Sequence, residues 1–218
     1  VTGAVAPAIH VTSTYKQDGV GGLRGGYEYS RSANPTRTAL EQTLAALEGA
    51  RRAFAFATGM AATSAAMGLL RTGDSIIMSL PVYGGNYRFA TIELPQRGIG
   101  HRFVTDLNEL TDEDFDDSVK MVFIETPANP TLRVTDIARV AELAHRHGAY
   151  VVVDNTFLTP YLQRPLALGA ELCVEDNMGQ LRQPAFQPLL PVAIPEEAGI
   201  RETGAQHALV ARHDGPAA

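Results

Sequence analysis

Four short stretches hold polar side chains where an open α/β sheet presents its ligand, at the carboxyl ends of strands. Asp154 closes the apolar run 150–153 and is followed by Asn155-Thr156-Phe157. A carboxylate ending a buried strand is costly unless a cation or hydrogen-bond donors meet it. A protonated pyridine nitrogen is one such partner, and a helix N-terminus is another. Thr58-Gly59-Met60 forms a strand-to-helix turn whose glycine lets a ligand approach the backbone and whose free N–H groups suit a phosphate. Tyr83-Gly84-Gly85 could lay an aromatic ring on a planar ligand or simply cap a turn. In Glu125-Thr126-Pro127-Ala128-Asn129-Pro130, two prolines stiffen a turn that fixes Asn129 for a ligand or for local hydrogen bonds. There is neither a GxGxxG dinucleotide fingerprint nor a GxxxxGK[ST] phosphate loop.

The elements that must position these stretches alternate in type. Residues 1–33 are Gly-rich and extended, with Gly19, Gly21, Gly22, Gly25 and Gly26 close together. Asn34 and Pro35 read as N-cap and first residue of a helix that carries Leu40, Leu44 and Leu47 on one face and stops at Gly49. Strands are expected over 53–57, 75–78, 120–124 and 150–153, continuing at Leu172-Cys173-Val174. Helices are expected from Gly59 to about Leu70, over 86–94, and from a cap at Thr135 to Gly148, with Ile137, Val140, Ala141 and Ala144 on one face. Strand–helix alternation of this kind implies βαβ units, an α/β fold and a mostly parallel sheet with flanking helices. Beyond Val174 the pattern stops. Pro184, Pro188, Pro191, Pro195 and Pro216 argue against a helix or central strand around Leu189-Leu190 and Val192. The expected organisation is an arm over 1–35, a ligand-binding domain over 36–174, and a loosely structured Pro-rich tail over 175–218.

Composition excludes several classes. The 218 residues carry a net charge of −6, which disfavours a nucleic-acid partner. No apolar run approaches the ~20 residues of a membrane span. Cys173 is the single cysteine, so no disulfide framework exists, and it reads as a buried inert thiol. No signal peptide opens the chain, and a soluble cytoplasmic protein is expected. His145 and His147 complement a helix end rather than bind metal, and the acidic segment 109–117 reads as a solvated surface; no metal site is expected.

Together the stretches resemble the Cys/Met-metabolism family of pyridoxal-phosphate (PLP) enzymes, among them cystathionine γ-synthase, cystathionine γ- and β-lyase and methionine γ-lyase. The resemblance runs in order through Tyr29-Ser30-Arg31, Asn34-Pro35-Thr36, Gly59-Met60-Ala61-Ala62, Tyr83-Gly84-Gly85, Glu125-Thr126-Pro127 with Asn129-Pro130, and Val153-Asp154-Asn155-Thr156-Phe157. It covers residues 1 to about 174. It implies the large domain of a fold-type I PLP-dependent transferase, incomplete here, and a homotetramer with sites shared between subunits. By the same resemblance, Tyr29 and Arg31 grip the cofactor phosphate of a neighbouring subunit, and the Gly59 and Met60 N–H groups bind that phosphate. Tyr83 stacks on the ring and handles protons, Asp154 keeps the ring nitrogen protonated, Asn129 bonds the ring hydroxyl, and Thr156 supports the ring. The implied function is transsulfuration of a small amino acid such as cystathionine or an O-acyl homoserine, of the γ-synthase or γ-lyase type. The arm over 18–26 is similar to bacterial members of that type, and Gly85 stands where methionine γ-lyases carry a cysteine.

The chain departs from the family at its reactive centre. The family run Gly-Ala-Asp-x-x-x-His-Ser-x-Thr-Lys begins here as Gly169-Ala170-Glu171. Glu175 then stands for the His, Asp176 for the Ser, Met178 for the Thr, and Gly179 for the lysine that carries the Schiff base. Asp176 brings a negative charge to the phosphate position. Lys16 and Lys120 are the only lysines. The family's smaller C-terminal domain, with its arginine for the substrate carboxylate, has no counterpart. A truncated product whose tail is read in another frame fits this pattern. The alternative to an enzyme is a non-catalytic fragment or pseudoenzyme subunit that binds PLP weakly or lends Tyr29 and Arg31 to an intact partner.

Overall fold

The computed structural model of the chain describes residues 3–176 and, as backbone, 190–192. Strands β1 (Phe54–Phe56), β2 (Ser75–Ser79), β3 (Gly100–Val104), β4 (Val119–Glu125), β5 (Tyr150–Asp154), β6 (Leu172–Val174) and β7 (Leu190–Val192) form one sheet in the order β1-β7-β6-β5-β4-β2-β3. The five strands from β6 to β3 are parallel, as expected, and β7 is antiparallel to both its neighbours.

Side chains alternate across this sheet and build a core on each face. Ile77, Val122, Ile124, Val151 and Val153 join one core, and Ile76, Met78, Met121, Phe123 and Val152 join the other. Helix α5 (Ile137–Arg146) covers the first face with its apolar stripe, and α2 (Gly59–Met67) covers the second through Ala62, Ala66 and Met67. Each large side chain so buried contributes about 1.5–3 kcal/mol.

Local signals set the helix ends. Asn34 Oδ1 accepts the Thr36 N–H at 2.8 Å and starts α1 (Pro35–Glu48), which Gly49 stops at φ 66°. Thr58 Oγ1 accepts the Ala61 N–H at 3.1 Å and starts α2. The expected cap of α5 is corrected: Asp136 Oδ1 takes the Arg139 N–H at 3.1 Å, while the buried Thr135 sends its own N–H to Thr126 Oγ1 at 3.0 Å. The helix expected over 86–94 begins earlier and is composite, with α3 (Gly84–Arg88), a π turn (Phe89–Glu93) and α4 (Leu94–Gln96). Leu94 bonds back to the Phe89 carbonyl, five residues away, just before Pro95, which has no N–H to give. A short helix α6 (Thr159–Leu162) precedes β6.

Two further findings differ from expectation. Strand β3 has no apolar alternation because it is the sheet edge, where His101 and Arg102 reach solvent. Leu190–Val192 lies inside the sheet despite Pro191. Pro191 faces Ala55, whose N–H points away from β7 to the Glu41 carboxylate at 2.9 Å. No ladder bond to β1 therefore needs an N–H at Pro191, and β6 pairs only with Val192. Met178, Gly179 and the other tail prolines lie outside the described residues.

At the surface, Asp112 pairs with Arg146 and His147, and Asp114 with Arg102, so the acidic segment is solvated and ion-paired. Among the described residues no helix is long and apolar enough to cross a membrane.

Candidate cofactor site

The carboxyl ends of β4 and β5 open toward the first turns of α2 and α3, and a cavity of about 380 Å³ lies between them. Glu125 and Asp154 are direct partners across the β4–β5 register, so two carboxylates stand side by side at the sheet edge. Their environments differ. Glu125 is 7% exposed, and its two oxygens are spoken for. Oε2 accepts the Tyr83 N–H at 2.7 Å, and Oε1 accepts the Asn129 N–H at 3.0 Å. One carboxylate thus ties the Tyr83 turn to the Asn129 turn.

Among the described residues Asp154 is bonded by Thr156 alone, whose N–H donates to Oδ1 at 3.1 Å and whose side chain also meets the carboxylate. Burial pushes its carboxyl up to about 6; the neighbouring Glu125 and Asp176 charges add to the rise, and the bonds from Thr156 oppose it. A buried acid in this state favours a cationic partner. The half-exposed ring of Tyr83 borders the same space. Gly85 makes room for that ring, since a Cβ there would fall 2.4 Å from Tyr83 Cε1 and 2.5 Å from Met60 Sδ.

The start of α2 also lines the cavity. Gly59 and Met60 occupy the first two positions, whose N–H groups have no partner within the helix. Asp176 lies against this turn: its N–H donates to Thr156 Oγ1 at 2.9 Å, and its Oδ2 is 2.9 Å from where a Gly59 Cβ would sit.

Six of the expected residues, Gly59, Met60, Tyr83, Asn129, Asp154 and Thr156, line this one cavity. Tyr29 and Arg31 do not. They lie in the arm, with the Arg31 guanidinium 5.1 Å from the Tyr29 ring centre, and Tyr29 is 39% exposed. Gly179 falls outside the described residues. Two further residues contribute. Glu125 carried the same signal as Asp154, an acid closing an apolar strand. Asn86 lines the cavity, is 1% exposed, and has no partner among the described residues for either amide atom; it lies inside a helix and has no marker in the sequence.

A second acid cluster occupies the other face of the sheet. Asn155 donates to Glu175 Oε1 at 3.0 Å and to Glu48 Oε1 at 3.5 Å, and Cys173 Sγ lies 3.8 Å from the same Glu48 oxygen. Burial, and then the Glu48 carboxylate, push Glu175 up to about 9, so the pair shares one proton. Burial also raises the Cys173 thiol, in keeping with an inert thiol.

Comparison with known proteins follows the same boundary. The family model described as Cys/Met metabolism PLP-dependent enzyme matches residues 1–177. Cystathionine beta-lyase MetC of Bacillus subtilis (strain 168) is 49% identical over 173 residues, covering 78% of this chain and 44% of that protein. Cystathionine gamma-lyase of the same organism is 46% identical over 172 residues, covering 78% and 45%. Among solved structures, metB from Corynebacterium glutamicum superposes with a TM-score of 0.76 at 43% identity, covering 79% of this chain and 46% of that one. Cystathionine gamma-lyase from Lactobacillus plantarum complexed with L-serine gives 0.75 at 40%, covering 80% and 45%. The chain spans less than half the length of these relatives. The sheet that gathers the six residues is therefore a shared inheritance, and the chain belongs to the Cys/Met-metabolism family of PLP-dependent enzymes.

Proposed function

We propose that this chain is a cofactor-domain polypeptide of a transsulfuration enzyme, of the cystathionine γ-synthase or γ-lyase type, that does not itself carry out the reaction. The observation that carries this reading is the Asp176 carboxylate lying against Gly59, in the run where Gly179 replaces the family's lysine.

The residues present fit pyridoxal phosphate at one end only. At the ring end, Asp154 suits a protonated ring nitrogen, Tyr83 offers a face for stacking, and Asn129 and Asn86 offer amides. At the phosphate end, the carboxylate of Asp176 stands at the helix turn that would otherwise meet an anion. No lysine, arginine or histidine among the described residues lines the cavity. Lys16 lies in the exposed arm and Lys120 on β4, both outside the lining. The group is thus poorly matched to the chain alone, and no catalytic step is assigned to it.

The test is incubation of the purified chain with pyridoxal phosphate, borohydride reduction, and mass spectrometry of the peptides. The expected result is no lysine adduct and no turnover of cystathionine or an O-acyl homoserine. A defined adduct at Lys16 or Lys120 together with turnover overturns the reading.

A second reading, that the arm serves a neighbouring subunit, is favoured by the position of Tyr29 and Arg31 outside their own cavity. Val5, Ile9, Val11 and Val20 of the same arm are also exposed. Sedimentation should then show an oligomer that deletion of residues 1–35 dissociates; an unchanged sedimentation coefficient per chain would rule this out.

A further inference from the structure

The charge of the cavity points to a ligand other than the phosphorylated cofactor. Glu125, Asp154 and Asp176 all line it, and no cationic side chain among the described residues does. Each Glu125 oxygen already accepts a backbone N–H, from Tyr83 or Asn129, whereas Asp154 is bonded by Thr156 alone among the described residues and Asp176 faces the start of α2. The α2 turn is thus met by an acid of the chain itself, where a ligand phosphate would have to approach that carboxylate closely. Asn86 is the second observation. Its buried amide borders the cavity with neither atom bonded, so the site holds a donor and an acceptor awaiting a polar group.

We propose that this cavity takes a protonated pyridine or related cationic aromatic amine that lacks a phosphate, and that Asp176 is the residue that excludes the phosphorylated form. The inference rests on the reading of the site given above, in which Asp154 marks the ring end and the α2 turn the phosphate end. The Asp154 carboxylate faces the ring cation, Tyr83 stacks on the ring, and Asn86 bonds a ring substituent. Asp176 sits where the phosphate would lie. A phosphate carries about two negative charges near neutral pH, and repulsion by a carboxylate at contact distance lowers affinity on the order of 10- to 100-fold.

The probes are pyridoxamine and pyridoxamine 5′-phosphate, which differ only in the phosphate. Neither has an aldehyde, so neither depends on a lysine, and the outcome is separable from the borohydride test. Binding is read by calorimetry on the full chain and on Asp176→Asn, Asp176→Ser and Asp154→Asn, each checked for an unchanged circular dichroism spectrum. The two Asp176 variants back each other against a folding failure. The wild type should bind pyridoxamine about tenfold or more tightly than its phosphate ester. Either Asp176 variant should tighten the ester about tenfold while moving pyridoxamine less than about threefold, and Asp154→Asn should weaken both ligands. The proposal is overturned if the wild type prefers the ester, if the Asp176 variants leave the ratio unchanged, or if neither ligand binds.

Discussion

Asp154 and Glu175 are carboxylic acids at the same edge of one sheet, on opposite faces of it, and burial raises both. Asp154 lines the cavity, where the described residues give it the bonds from Thr156 and two neighbouring carboxylates but no cation. Glu175 points toward α1, where Glu48 and Asn155 close around it. The sealed acid is neutralised by a proton held within the pair, and the open one is left to be neutralised by something that enters. Burial alone does not mark a ligand site; what separates the two faces is whether the protein has already supplied the partner.

The largest way to break this contrast is to remove the sealed charge. Glu175 is raised from 4.5 to about 9, so the folded chain binds a proton there that the unfolded chain has lost between those values. Stability from this group is therefore present at low pH and declines as pH rises from about 4.5 toward 9, by at most about 1.4 kcal/mol per pH unit. Glu175→Gln should flatten that decline and stabilise the chain by a few kcal/mol at pH 8. Thermal melts from pH 5 to 9 give the slope, and identical slopes for wild type and variant would refute the shared proton. Asp154 runs in the same direction over a lower window, from 3.8 to about 6.

Glu125 sharpens the contrast from within the cavity. It stands beside Asp154 in register, but each of its oxygens already accepts a backbone N–H. Glu125→Ala should leave the Tyr83 and Asn129 N–H groups unmet and cost about 2–4 kcal/mol, measured by chemical denaturation. Glu125→Gln, which keeps one good acceptor, should cost roughly half of that. Equal stability of the Ala variant and the wild type would mean that the two turns hold themselves.

How much of this was legible follows the range of the interactions. Asn34, Pro35, Gly49 and Thr58 act within one turn, and their types announced the helix ends. Asp154 stood out because it ends four residues of apolar strand. Glu125 had the same signature but read as part of a proline turn, since its partners Tyr83 and Asn129 lie on separate loops. The acid cluster left no local trace: Asn155, which bonds both acids, is 107 residues from Glu48, and only the fold brings them together. Strand β3 was hidden because an edge needs no apolar alternation. Pro191 misled because a proline is excluded from a ladder only where its N–H is required, and that depends on a register set by β1.

Gly85 shapes the cavity through packing rather than charge. Any side chain there meets the Tyr83 ring and the Met60 sulfur, both of which line the cavity. Gly85→Ala should cost about 1–3 kcal/mol by overpacking and turn the Tyr83 ring out of the site. The near-ultraviolet dichroism of tyrosine should change while the far-ultraviolet spectrum does not. If the melt falls and the tyrosine signal stays fixed, Met60 has moved instead.

The smallest expected effect separates the helix turn from the acid that faces it. Thr58→Ala removes the side-chain acceptor for the Ala61 N–H and should cost about 1 kcal/mol, as should Asn34→Ala at the start of α1. Both caps are neutral, and α2 has the Asp176 carboxylate beside its first turn. If Asp176 interacts favourably with the N-terminal end of α2, Asp176→Asn should itself lose about 0.3–1 kcal/mol, and less at high salt. Measured in 0.05 and 0.5 M salt, that loss should shrink for Asp176→Asn and stay constant for Asn34→Ala, because a neutral cap is not screened. A salt-independent Asp176 effect would mean that its carboxylate meets the turn by shape alone, and that exclusion of an anion is steric rather than electrostatic.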